Sequence, residues 1–347
     1  MRSATERLAA TYGDAQSLSR LVPSFRSHAL AIQTDALGLP TNPSVANIDG
    51  AMWMLVRVLN YVIEFDAEGR ARYRHLERMP DGRPLLRTRN LAVRLDVQGR
   101  PLESAMIAPP FGWPAPSFSN ILGFEDSRLF SWHGAPWCLS SIRETHEDGI
   151  GRMILTRIDG LGSAAPRLAA ARVVDPGGTP RNEKNWMPLV DGDALRFVYT
   201  LDPTRILDER GHTVVEHPCR YAMRDRMRGG TPLIPFDGGW LGMEHELLRH
   251  QQAFCYYHRF IWLDAHYALR RLSRRFFFTK TGVEFAAGLC WSPDASQLVV
   301  SFGVDDLSCH IGMFDPDEVS GALDEIEPDF SGSVSFIHGG SDEDPAP

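Results

Sequence analysis

From Asn42 onward this chain breaks into short apolar runs, most of them strand-length, separated by Gly, Asp, Asn or Pro. The runs 51–58, 91–95, 128–132, 137–142, 153–158, 195–199, 240–243, 256–263, 275–279, 297–302 and 310–314 follow one another in this way. Pieces this short, with no long helical period between them, predict an all-β chain. So many strands over residues 42–314 fit a β-propeller, in which four-stranded sheets surround a central channel. A two-sheet sandwich is the structural rival, but it normally needs fewer strands. No exact internal repeat is visible, so the count of blades does not follow from the runs.

Before Asn42 the character differs. Residues 4–10 and 18–21 have helical spacing, and residues 1–41 are expected to form a helical arm. After the last run, 315–347 are mostly acidic and end Gly339-Gly340-Ser341-Asp342-Glu343-Asp344-Pro345-Ala346-Pro347, which predicts a flexible solubilising tail. The intervening 42–314 are the expected propeller domain.

Charge is placed unevenly along the chain. The net charge is −8, yet residues 281–347 hold 14 of the 44 acids and none of the 36 cations, leaving the first 280 residues at +6. That surplus is too mild for a nucleic-acid stripe, but it suffices to line a pocket for a phosphate. Only two cations are lysines, Lys184 and Lys280. The five cysteines are scattered without a Cys-x-x-Cys pair, which predicts buried free thiols and neither a disulfide scaffold nor a zinc ribbon. No run approaches the length of a membrane span, and the first 21 residues lack the apolar centre of a signal peptide; the expectation is a cytoplasmic protein.

Polar clusters sit at the ends of the apolar runs. Glu125-Asp126-Ser127-Arg128 puts two carboxylates and a guanidinium at a strand mouth, where a buried acid beside a cation can serve as a general acid. Asn42-Pro43-Ser44 precedes a strand that ends at Arg57 and Asn60. Arg181-Asn182-Glu183-Lys184-Asn185-Trp186, Arg228-Gly229-Gly230, Met243-Glu244-His245, Glu284 and Asp305-Asp306 complete the set. Acids and amides fork onto sugar hydroxyls, and an indole covers a pyranose face.

In order and spacing these clusters resemble the mannoside phosphorylases and mannosidases of glycoside hydrolase family one-hundred-thirty, and the related propeller mannosyltransferases. The most specific pieces are Gly123-Phe124-Glu125-Asp126-Ser127-Arg128, similar to that family's Gly-x-Glu-Asp-Pro-Arg, and Glu183-Lys184-Asn185. Phe302-Gly303-Val304-Asp305-Asp306 matches its Tyr-Gly-Ala-x-Asp loosely. The resemblance spans about Asn42 to Phe314 and implies a five-bladed propeller. It implies inverting transfer of a mannosyl-type group, with Asp126 as the single catalytic acid. Asn42, Arg57, Asn60, Glu125, Arg128, Asn185, Trp186, Glu284 and Asp306 are the expected substrate contacts, and Lys184, His245 and Arg143 the expected anion site. Ser127 stands where the family has Pro, which is expected to loosen the turn. The implied partners are a mannoside or related oligosaccharide with inorganic phosphate or a sugar-phosphate donor, and an oligomer is left open. No nucleic acid, membrane, metal or cofactor is expected.

Each residue also has a plainer reading. Asp126 is a turn carboxylate paired with Arg128, Lys184 a solvated loop cation, His245 a core imidazole, and Trp113 and Trp186 packing residues. Two other functions stay open. An inverting hydrolase needs a base such as Glu183, Glu244 or Glu284, and a lectin-like propeller needs no buried acid. Cations facing Asp126 favour phosphate or a donor; a glutamate there favours water.

Overall fold

A computed structural model of the chain describes residues 15–34, 38–65, 71–75, 77–113, 118–178, 181–218, 227–250 and 253–326. The fold is an all-β propeller, and the described residues contain two short helices, Leu18–Leu21 and Pro316–Ala322.

Each sheet is an antiparallel meander. The first runs Leu39–Ile48, Ala51–Leu59, Leu86–Leu95, Pro101–Ile107, and Ile121–Leu122 joins Leu86–Leu95 in parallel. The second is Glu125–Trp132, Ala135–Ile142, Arg152–Asp159, Arg167–Val174. The third is Met187–Asp191, Ala194–Leu201, Thr204–Asp208, Thr213–His217. The last is Glu284–Trp291, Leu298–Val304, Ser308–Phe314, completed by Arg26–Ala29 from the other end of the chain. Two-residue turns explain the tight hairpins. Asp49 and Gly50 both have positive φ (51° and 79°), the geometry that matches the twist of the strands they join.

These four sheets have the simple four-strand path of a propeller blade. Between the third and the last lies a sheet of another kind, eight-stranded and branched. Its central hairpin, Gly239–His250 and Ala253–Leu263, is 12 and 11 residues long and overruns blade length. The overrun recruits Phe276–Phe277 and Gln16–Ser17, while Leu323–Glu325 adds to Leu269–Ser273. The expectation of five blades is thereby corrected to four blades, with the branched sheet beside them.

The core lies in layers between neighbouring sheets. Met54, Val56 and Val93 pack on Val299 and Ile311; Leu55 and Ala92 on Leu129 and Ile154; Phe130 and Leu155 on Trp186 and Phe197. Met187 and Val198 pack on Leu233 and Ile261, and Met243 and Phe260 on Phe302 and Phe314.

The arm and the tail also depart from expectation. Residues 1–14 and 327–347 lie outside the described residues. Within the described arm the helix has only four residues, too few to hold without tertiary contacts. The rest of that segment acts as a clasp. Leu18, Val22 and Phe25 enter the core, and Arg26–Ala29 covers the edge of the last sheet, which would otherwise present unpaired backbone. The first part of the tail is folded: Asp315 caps the helix Pro316–Ala322 by accepting from the Asp317 amide at 2.8 Å, and Val319 is buried. Glu318 accepts from the amide and hydroxyl of Ser24 at 2.7 and 2.6 Å, tying the two ends of the chain together.

Candidate functional site

The inner strands begin at one mouth of the channel, and most of the predicted site residues gather there. Two bulges aim the first of them. The pairing of Leu39–Ile48 with Ala51–Leu59 slips between Thr41 and Ser44, at Asn42, and the pairing of Glu125–Trp132 with Ala135–Ile142 slips between Glu125 and Arg128, at Asp126. In a regular strand Glu125 and Asp126 would face opposite sides. The bulge turns both toward Arg57, on Ala51–Leu59. Asn42, Asp126, Asn185 and Asp306 all have positive φ (44°, 45°, 63° and 54°), so backbone strain concentrates on this mouth. Gly303 is required beside them, because a Cβ there would sit 2.4 Å from Asn42 Oδ1.

Arg57 is the hub. Its Nη1 donates to Asp126 Oδ1 at 2.9 Å, its Nη2 to Glu125 Oε1 at 2.7 Å, and its Nε to Thr88 at 3.2 Å. Asn42 Nδ2 donates to the same Asp126 oxygen at 3.0 Å. Burial alone would raise Asp126, but Arg57, Arg128 and the two donated hydrogen bonds outweigh it and bring the carboxyl down to about 2. Asp126 is therefore ionised at rest. Asp306 is half-buried near the same groups and moves the opposite way. Burial raises it, Arg57 offsets part of the rise, and the charges of Asp126 and Asp305 add to it. Its neighbour Asp305 is paired with Lys280.

Arg128 is buried and braces the floor. Its Nε donates to the Gly230 carbonyl at 3.0 Å, its Nη2 to Asn185 Oδ1 at 2.9 Å, and its Nη1 to the Asp126 carbonyl. Burial lowers its pKa to about 10, partly offset by Asp126, so it stays charged near neutrality. Ser127, expected to loosen the turn, is held there: its hydroxyl meets Ser140 Oγ at 2.8 Å and Asn90 Oδ1 at 3.3 Å.

The Arg128 guanidinium lies 5.1 Å from the Phe285 ring, which lies 5.1 Å edge-on from the His245 ring. His245 is buried and its pKa is held well below the usual imidazole value, by burial first and then by His258, Arg228, Arg128 and Lys184. Those three cations all bear on His245, with Lys184 exposed and Arg228 half-buried. Arg228 stands opposite His245 in the sheet and acts on it, a role that residue type at the Arg228-Gly229-Gly230 segment does not reveal. Arg143 follows the strand Ala135–Ile142 and is half-buried there.

Three predicted substrate contacts are engaged by the fold instead. Asn60 is buried, donating to the Leu85 carbonyl at 3.0 Å and accepting from the Arg87 amide at 2.7 Å. Trp186 is 1% exposed and donates to Glu183 Oε2 at 2.9 Å. Glu284 is buried and accepts from the amides of Phe278, Thr279 and Lys280 at 2.6, 2.8 and 3.1 Å and from the Thr279 hydroxyl at 2.6 Å. Each of these side chains satisfies backbone or neighbouring groups that burial would otherwise leave unpaired.

The fold and mouth define a β-propeller with carboxylates gathered on Arg57 and further cations bearing on His245. No protein-family model matches the sequence, and no curated protein matches it. Solved structures share the fold. β-1,2-Mannobiose phosphorylase from Listeria innocua, solved with β-1,2-mannobiose, superimposes with a TM-score of 0.54 at 15% identity, over 86% of this chain and 93% of that one. MPT-4, a mannose phosphorylase from Leishmania mexicana solved with phosphate ion, gives 0.54 at 12% identity over 92% and 96%. MPT-1, a GDP-Man-dependent mannosyltransferase from Leishmania mexicana, gives 0.51 at 9% identity over 90% and 93%. The resemblance read from the motifs thus has its counterpart among structural neighbours.

Proposed function

We propose that this chain is a carbohydrate-active enzyme that transfers a mannosyl-type group with inversion, as a mannoside phosphorylase or, with a sugar-phosphate donor, a mannosyltransferase. One observation carries the choice of an anionic partner. Arg128, Arg228 and Lys184 all act on His245, and Arg128 also reaches the Asp126 carbonyl, whereas the glutamates that a hydrolase would need to activate water are occupied. Glu183 takes Arg181, Tyr199 and Trp186 at 3.0, 3.1 and 2.9 Å; Glu284 is filled by the loop at Phe278–Lys280; Glu244 is fully buried.

In this reading the sugar lies over Asn42, Arg57, Glu125, Asp126 and Asp306. Asp126 is the catalytic carboxylate. It faces the reacting sugar and accepts from one of its hydroxyls, and its negative charge stabilises the positive charge that grows at the anomeric carbon. The anion, held by cations that are already oriented, attacks the opposite face. Asn185, fixed by Arg128, sits between the two halves. A lectin-like role is disfavoured because gathering like charges in a desolvated mouth costs stability without aiding simple binding.

The test is a screen of β-mannobiosides with and without phosphate, and of mannose 1-phosphate and GDP-mannose as donors. Phosphate-dependent release of a sugar phosphate is expected, and Lys184→Ala should raise the apparent KM for the anion at least several-fold while leaving that for the sugar little changed. Release of free mannose at the same rate without phosphate, unaffected by Lys184→Ala, would replace this reading with hydrolysis.

A further inference from the structure

A carboxylate is rarely buried without a cation beside it. Glu144, in the turn after Ala135–Ile142, is 5% exposed, yet the groups that donate to its two oxygens are neutral. Oε1 accepts from the Trp113 indole at 2.5 Å and Oε2 from the Gly123 amide at 2.9 Å. Both groups donate, and the carboxylate meets each with an oxygen; an amide would set its own NH2 against one of them. Burial pushes the Glu144 carboxyl up, and the same two hydrogen bonds offset part of the rise.

Gly123 stands three residues before Asp126. Its φ is 103°, and a Cβ there would collide with the Thr88 carbonyl. Thr88 in turn accepts from Arg57 Nε at 3.2 Å, so Gly123 rests on a residue that steadies Arg57. Phe124 follows, buried, with its carbonyl accepting from Asn90 Nδ2 at 3.0 Å and its ring 5.1 Å from the Trp113 ring. The approach to Glu125 and Asp126 is thus held by Thr88 and Asn90 from the first sheet and by Glu144 from the end of a strand of the second, with Trp113 against the Phe124 ring.

We propose that Glu144 is a positioning residue: by fixing the Gly123 amide it sets where the inner strand of the second sheet begins, and with that the reach of Glu125 and Asp126 to Arg57. The proposal rests on the mannosyl-transfer reading above, in which Asp126 is the catalytic carboxylate, and adds the group that aims it. The contacts to be kept are close. Asp126 meets Arg57 at 2.9 Å and Asn42 at 3.0 Å, and Glu125 meets Arg57 at 2.7 Å. A displacement of about 1 Å breaks hydrogen bonds of this length and can cost about hundredfold in rate. Trp113 has the lesser part, since its N–H engages Oε1 and so helps to hold Oε2 on Gly123.

Glu144→Ala, Glu144→Gln and Trp113→Phe test it, each assayed with phosphate on a β-mannobioside. Each is also labelled with 13C at the aspartate carboxyls, where the resonance missing from Asp126→Asn reports Asp126. Glu144→Ala should lose about tenfold or more in kcat with the KM for phosphate little changed. Its Asp126 resonance should titrate above the value of about 2 held in the wild type, because Arg57 grips the carboxylate less well. Glu144→Gln keeps one accepting oxygen and should recover part of both effects. Trp113→Phe keeps a ring against Phe124 and should move both readouts the same way by less. A folded Glu144→Ala with wild-type kcat and an unmoved Asp126 resonance would overturn the proposal and leave Glu144 a tie for stability alone. A rise in the KM for phosphate at unchanged kcat would overturn it too. Should neither Glu144 variant fold, Trp113→Phe decides, and an unmoved Asp126 resonance there overturns the proposal. Inactivity of the wild type toward every mannoside and donor would instead refute the transfer reading, and the titration would still show whether Glu144 aims the carboxylate.

Discussion

Asp126→Asn probes the charge arrangement of the mouth through stability as well as turnover. In the folded protein the carboxyl is held at about 2, against 3.8 for the free side chain. At about 1.4 kcal/mol per pKa unit, the ionised form gains on the order of 2.5 kcal/mol from its surroundings. The side chain is 27% exposed, so screening takes only a modest part of this. Because the folded pKa is depressed, the stabilisation is fully present above 3.8 and is lost as the pH falls from 3.8 toward about 2. Asparagine keeps an oxygen to accept from Asn42 and Arg57 but loses the charge. The variant should therefore be about 1–2 kcal/mol less stable than wild type in urea at pH 7, and the gap should narrow steadily below pH 4. Turnover should fall by about hundredfold or more. A gap independent of pH, or none at pH 7, would show that Arg57 and Arg128 do not hold Asp126 as the geometry requires.

The other expectations concern residues the fold has claimed. Trp186→Ala should cost about 3–5 kcal/mol in urea unfolding, the range for a buried aromatic, without weakening sugar affinity in the folded variant; a selective loss of sugar binding would return Trp186 to the substrate site. Glu244 is fully buried, and its pKa is raised well above the usual value, by burial first and against the pull of Arg259, so its contribution to stability is present at acid pH and lost as pH rises. Glu244→Gln should accordingly raise the urea midpoint at pH 8 relative to wild type and change it little at pH 4, and a lowered midpoint at pH 8 would mean that the ionised form is held by Arg259 after all.

Much of this protein was legible along the chain. Strand-length runs broken by turn residues determine an all-β fold, because period-2 burial and tight turns are local properties. Glu125-Asp126-Ser127-Arg128 marked the mouth because charged residues at the start of an apolar strand need partners. Tertiary structure alone decided which partners. Arg57 is 68 and 69 residues from the carboxylates it joins, and the bulges at Asn42 and Asp126 that aim them are invisible in the run pattern. Residue type could not separate Asn42, which donates to Asp126, from Asn60, which pins Leu85 and Arg87, nor tell that Trp186 and Glu284 face inward. An amide, an indole or a carboxylate serves a sugar and a buried backbone with the same hydrogen bonds. The arm shows the same limit. Helical spacing near Leu18 is a weak local preference, and the unpaired edge of a sheet nearly 300 residues away turned the following segment, Arg26–Ala29, into a strand.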